Sequence, residues 1–136
     1  MKSFTHFSRT IDELLGSARC VRISAAGYMT LVVEEIGGSR DGGRLVAVAH
    51  TGLLNGDVMH DPEVVFEYHT HGAEPISFRN DYLGKYDEVY RYDDAGRRTG
   101  VYPMRRRHLI SFARVWFRNL RAQGFLSDHA VREVIA

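Results

Sequence analysis

The chain holds a single cysteine, Cys20, in 136 residues. An intrachain disulfide and a multi-cysteine zinc site are therefore excluded. A lone thiol, read as buried and inert, fits a reducing, cytoplasmic compartment. No stretch approaches the roughly 20 apolar residues that span a bilayer, so no membrane partner is expected. The opening Met1-Lys2-Ser3-Phe4-Thr5-His6 lacks the continuous apolar run of a signal peptide. Internal repeats and low-complexity tracts are absent. So are the Gly-x-Ser-x-Gly, phosphate-loop and dinucleotide-glycine patterns. With them go the reaction classes that those patterns mark, and no cofactor is implied.

Net charge is also scarce, at +1, which is too little for strong binding to nucleic acid by charge alone. The balance conceals a polarity. Residues 54–94 carry three basic and ten acidic side chains, and residues 95–136 carry nine basic and two acidic. An acidic middle and a basic end imply either internal pairing or two distinct surfaces.

What is present is ordinary globular material. The chain is 44% apolar and 26% charged, and its length suits one domain, residues 1–136. Thr10-Ile11-Asp12-Glu13 has the form of a capping box and predicts a short helix over 11–17. Alternating β-branched residues predict strands over 28–36 and 44–50, joined as a hairpin by the glycine-rich turn 37–43. Asn55-Gly56 turns the chain. Further strands are expected over 64–70, 75–79 and 86–92. Leu109, Phe112, Ala113, Trp116, Phe117 and Leu120 repeat at helical spacing, predicting a helix over 104–123 with Trp116 buried between Phe112 and Leu120. Gly124 ends that helix, and Ser127 is placed to cap a last one reaching about residue 134. The expected architecture is α+β: a five-stranded, mainly antiparallel sheet with an N-terminal helix and C-terminal helices on one face.

Four groups of residues carry candidate chemistry. His50, Asp57, Asp61 and Glu63 surround one inter-strand connection and, if they converge, make a metal site for a hydrolase or nuclease. The same Asn-Gly-Asp and Asp-Pro elements also serve as turn chemistry, in which Asn55, Asp57 and Asp61 bond backbone amides of the 51–64 connection. Glu67, His69 and His71 share a face of one strand, which is usable metal-ligand spacing. A cupin-like reading fails on the position of Glu74. A restriction-nuclease outline, Asp57 or Asp61 followed by Glu67-Tyr68-His69, lacks its lysine. Third, residues 95–127 contain eight arginines and no acid. Arg107, Arg114, Arg118 and Arg121 fall within ~60° of one another on a helical wheel, opposite Trp116. That is the footprint of a phosphate-backbone contact, unless Asp87, Glu88, Asp93 and Asp94 fold back to neutralise it. Last, Tyr82, Tyr86, Tyr90 and Tyr92 either form an interface or cap the core.

Val33-Glu34, His50, Asn55-Gly56-Asp57, Asp61-Pro62-Glu63, Pro75, Asn80-Asp81 and Phe112-Ala113-x-x-Trp116-x-x-Asn119-Leu120 together resemble a family of bacterial domains of unknown function. Those domains occur in plasmid, conjugative-element and phage proteins. The likeness spans about residues 25 to 125 and implies a mobile-element context with no assigned reaction. The expected function is a non-catalytic binding or accessory module that engages a protein partner or a nucleic-acid backbone. A homodimer is compatible with it.

Overall fold

A computed structural model describes residues 3–38 and 43–136. In chain order the elements are helix α1 (Thr5–Leu15), strands β1 (Cys20–Ser24), β2 (Thr30–Gly38), β3 (Arg44–Leu54), β4 (Asp57–His69), β5 (Gly72–Asn80), β6 (Lys85–Glu88), β7 (Tyr90–Tyr92) and β8 (Arg98–Val101), helix α2 (Pro103–Ala122) and strand β9 (Val131–Val134). The architecture is α+β. A seven-stranded antiparallel sheet runs in the order β6-β5-β4-β3-β2-β1-β9, and β7-β8 form a separate two-stranded sheet. The strand count thus exceeds the five expected.

The long β3-β4 hairpin closes through Asn55 (φ 52°) and Gly56 (φ 85°). Two consecutive positive φ values match the right-handed strand twist, so pairing continues down to Leu54↔Asp57. Residues 51–54, beyond the expected end of the second strand at residue 50, are therefore strand. The 28–36 and 44–50 strands are present as β2 and β3. The turn between them, at residues 39–42, lies outside the described residues.

The expected 86–92 strand divides at Val89, which is buried. Its amide donates to Ile76 O and its carbonyl accepts from Tyr102 N, so two partners hold the bend. At the C-terminus the expected short helix is instead β9, paired antiparallel with β1. The free edge of β1 outcompetes a local cap. Ser127 Oγ accepts from His129 N, but only a turn follows.

The N-terminal helix starts six residues before its expected position. Thr10 is interior, its hydroxyl donating to His6 O rather than capping. The start is set by tertiary pairing. Phe4 N donates to His71 O, Ala73 N donates to Phe4 O, and Phe4 bridges to Gly72. Arg132 of β9 closes the other end through the carbonyls of Leu14 and Leu15, where a cation complements the helix dipole.

Both helices pack on one face of the sheet. Phe7 (α1), Phe66 (β4) and Phe117 (α2) meet pairwise at centroid separations of 5.2–5.6 Å. Around them lie Val21, Ile23, Leu31, Val33, Val46, Val48 and Val64, all essentially without solvent contact. Trp116 is buried as expected, with Leu120. Phe112 is not, being 39% exposed while its ring still touches Trp116 and Phe78. No described helix is long and apolar enough to cross a membrane.

Candidate nucleic-acid interface

Helix α2 turns a 20-residue segment into a ruler with an apolar and a basic side. Leu109, Ile110, Ala113, Trp116, Phe117 and Leu120 are buried, so the 3.6-residue repeat forces Arg107, Arg114, Arg118 and Arg121 outward. All four are exposed. Arg121 pairs with Glu13 of α1 at 3.1 Å. Among the described residues the other three have no carboxylate within 4.0 Å; Arg107 contacts only Met104 Sδ, at 3.9 Å. The acids expected to fold back pair elsewhere or not at all: Asp87 with Lys85 and Asp93 with Arg97. His6 lies beside Arg114, and burial together with that neighbouring charge lowers its pKa.

The start of α2 is electrostatically unusual. Its first turn contains Arg105 and Arg106 and no acid, although the helix dipole favours anions there. Arg106 is compensated by Glu74, whose carboxylate accepts from Arg106 Nε at 3.1 Å and from the Tyr90 hydroxyl. The other Glu74 oxygen lies 3.2 Å from His69 Nε2. Glu67, the register partner of Glu74, accepts from Arg98 Nη2 at 3.1 Å. Both glutamates are more than 90% buried. This pairing fastens β7-β8 and α2 to the sheet.

The first metal candidate does not assemble. His50 Nδ1 sits 3.0 Å from Met29 O, and its ring packs against Trp116 and Phe125. Burial lowers its pKa. Asp57 is exposed at the hairpin end. Asp61 accepts from Asn80 Nδ2 at 2.6 Å, a side-chain bond where backbone amides were expected. Glu63 lies 3.8 Å from His60 Nε2. In the second candidate, Glu67 and His69 belong to the pairing just described, while His71 is exposed. No group of three or more His, Cys, Asp or Glu side chains among the described residues is placed to hold a metal ion.

Sequence reasoning missed two clusters. One is His60–Asp81–Arg79. Asp81 accepts from His60 N (2.7 Å), His60 Nδ1 (2.9 Å) and Arg79 Nε (2.6 Å). Burial opposes ionisation there, but these donors outweigh it and hold the Asp81 carboxyl down at about 2. The adjacent Asn80-Asp81 was a signal, yet His60, 21 positions away, was not. The other is an open cavity of about 510 Å³ where Tyr86, Tyr90 and Tyr92 meet Tyr102, Arg91 and Arg105. Tyr86 and Tyr92 are exposed rather than capping the core. They lie in different sheets, Tyr86 in β6 and Tyr92 in β7, although both were expected in one strand over 86–92. Cys20 is buried, and burial raises its thiol pKa, as does the nearby Glu34 charge.

A family model described as a domain of unknown function (DUF6908) matches residues 2–126, and the chain belongs to that family. No curated protein and no solved structure matches the chain. Among the described residues the matched span contains α1, α2 and strands β1 to β8; β9 follows it.

Proposed function

We propose that this DUF6908 member is a non-catalytic binding module that grips a nucleic-acid backbone through α2. The observation that carries the reading is the row Arg107, Arg114 and Arg118, exposed on one helix with no carboxylate within 4.0 Å among the described residues. Guanidinium groups match phosphate oxygens in charge and geometry. A row of unpaired cations repels itself, and an anionic strand laid along it relieves that repulsion. The modest net charge of +1 argues for local contact rather than whole-molecule attraction. The resemblance described above adds context: an accessory protein of a mobile element or its host.

The test is fluorescence anisotropy with a labelled DNA and a labelled RNA over a salt series. Neutralising three or four phosphates releases their counterions and gives a log–log salt slope of about −3 to −4 on duplex DNA. The variant carrying Arg114→Glu and Arg118→Glu abolishes binding while its circular dichroism is unchanged. Absence of binding at low salt, or wild-type binding by that variant, rejects the proposal. A partner captured from lysate despite nuclease treatment favours a protein ligand instead.

A further inference from the structure

We propose that the cavity between β6, β7, β8 and the start of α2 is a nucleotide site that accepts an unpaired base and its phosphate. This deepens the backbone-binding reading, because it makes the preferred ligand single-stranded. The cavity is walled by phenol and guanidinium groups. Tyr86 is 59% and Tyr92 41% exposed, and the Arg98 guanidinium lies 5.8 Å from the centre of the Tyr92 ring, so Tyr86 is the more open stacking surface. Arg105 stacks over the Tyr102 ring at 4.0 Å and Arg91 at 5.4 Å. Arg91 has no carboxylate within 4.0 Å among the described residues. Arg105 gives one N–H to Glu88 O at 3.2 Å and is likewise free of carboxylate partners there. Glu88 is the acid on the lining, and its carboxylate accepts from the Tyr86 hydroxyl at 3.3 Å.

Aromatic faces beside cationic groups are what a nucleobase joined to a phosphate requires. Stacking on tyrosine tolerates any base, and arginine takes the phosphate. An aliphatic ligand finds few apolar walls here. A base inside a duplex is already stacked on its neighbours and has no face left to lay on these tyrosines, so the site selects single strands. Arg105 reinforces the selection. It sits in the first turn of α2, where the helix dipole disfavours a cation. A phosphate bound between Arg105 and Arg91 offsets that.

The experiment titrates a short labelled oligodeoxythymidine, a duplex of equal length and unlabelled deoxythymidine monophosphate as competitor. Each is measured with the wild type, a Tyr86→Ala/Tyr92→Ala variant and the Arg114→Glu/Arg118→Glu variant. Circular dichroism checks each fold, and both tyrosines are exposed enough to be replaced without unfolding the chain. The single strand binds about tenfold more tightly than the duplex, the tyrosine variant loses about tenfold for the single strand alone, and the mononucleotide competes. Wild-type single-strand affinity in the tyrosine variant, with binding lost in the arginine variant, overturns the cavity and leaves the helix reading intact. Loss in the tyrosine variant with retention in the arginine variant sustains the cavity and rejects the helix as its partner surface. No binding of either strand form at low salt overturns both.

Discussion

Trp116 concentrates two opposing effects in one side chain. It is 7% exposed and touches Phe112, Phe117 and the His50 ring, so its indole contributes heavily to the core. Yet Nε1 is buried with no hydrogen-bond partner among the described residues. An orphan buried donor costs roughly 1–3 kcal/mol, which subtracts from what the ring supplies. Trp116→Ala therefore costs about 3–5 kcal/mol, through lost burial and the cavity left behind. Trp116→Phe costs distinctly less, because it removes the orphan N–H while keeping an aromatic ring. Urea denaturation followed by circular dichroism checks both. Equal losses for the two variants would mean that Nε1 is satisfied in solution. The helical spacing of the apolar residues made the burial of Trp116 legible. The orphan donor was not, because it depends on which strands close over the ring.

Elements differ in how much of their placement is local. The basic and apolar sides of α2 follow from 3.6-residue spacing, and the β3-β4 turn from Asn55-Gly56, so both could be read directly. Strands β1 and β9 could not. Each is only four or five residues long and interrupted by charge, Arg22 in one and Arg132 and Glu133 in the other. β1 is held between β2 and β9, and β9 becomes a strand only by pairing with β1 across more than a hundred residues. The tyrosine cavity is hidden for the same reason, since its walls come from four separate elements. The start of α1 is also non-local, and one glycine decides it. Gly72 has φ +110°, and a Cβ there would stand 2.6 Å from Thr5 N and closer still to the Phe4 carbonyl. Gly56, at φ +85°, would place a Cβ in open space. Gly56→Ala thus pays only for its backbone conformation, roughly 1–2 kcal/mol. Gly72→Ala adds a backbone clash that must push α1 off the sheet. It exceeds the Gly56 cost, and hydrogen exchange accelerates selectively in the amides of α1. Matching losses at the two sites would show that the Phe4–Gly72 bridge does not hold the helix.

Across the whole molecule, titratable groups on both sides of neutrality draw the same dome in stability against pH. Burial lowers the pKa of His50, and burial with Arg114 lowers that of His6. Below the ordinary histidine value of 6.5 the unfolded chain therefore binds protons that the folded chain refuses, and stability falls with acid. Asp81 continues the trend. Its carboxyl is held at about 2 against an ordinary 3.8, so its contribution is complete above about 4 and is lost as pH falls towards 2. On the alkaline side, burial followed by Glu34 raises Cys20 from 9.0. Burial followed by carboxylate neighbours raises Tyr68, Tyr86 and Tyr90 from 10.0. There the unfolded chain releases protons that the folded chain keeps, so stability falls as pH rises through 9 and 10. The plateau lies between about pH 7 and 9. His50 is the group to isolate, because its ring lies between Trp116 and Phe125, where burial outweighs the favourable charge of Asp61 and disfavours the protonated form. His50→Gln reduces the slope of stability between pH 5 and 7 while leaving the alkaline limb unchanged. Chemical denaturation at one-unit pH steps measures both limbs. A wild-type midpoint that does not move between pH 7 and 5 would place a protonated imidazole within the folded core and contradict the packing of His50.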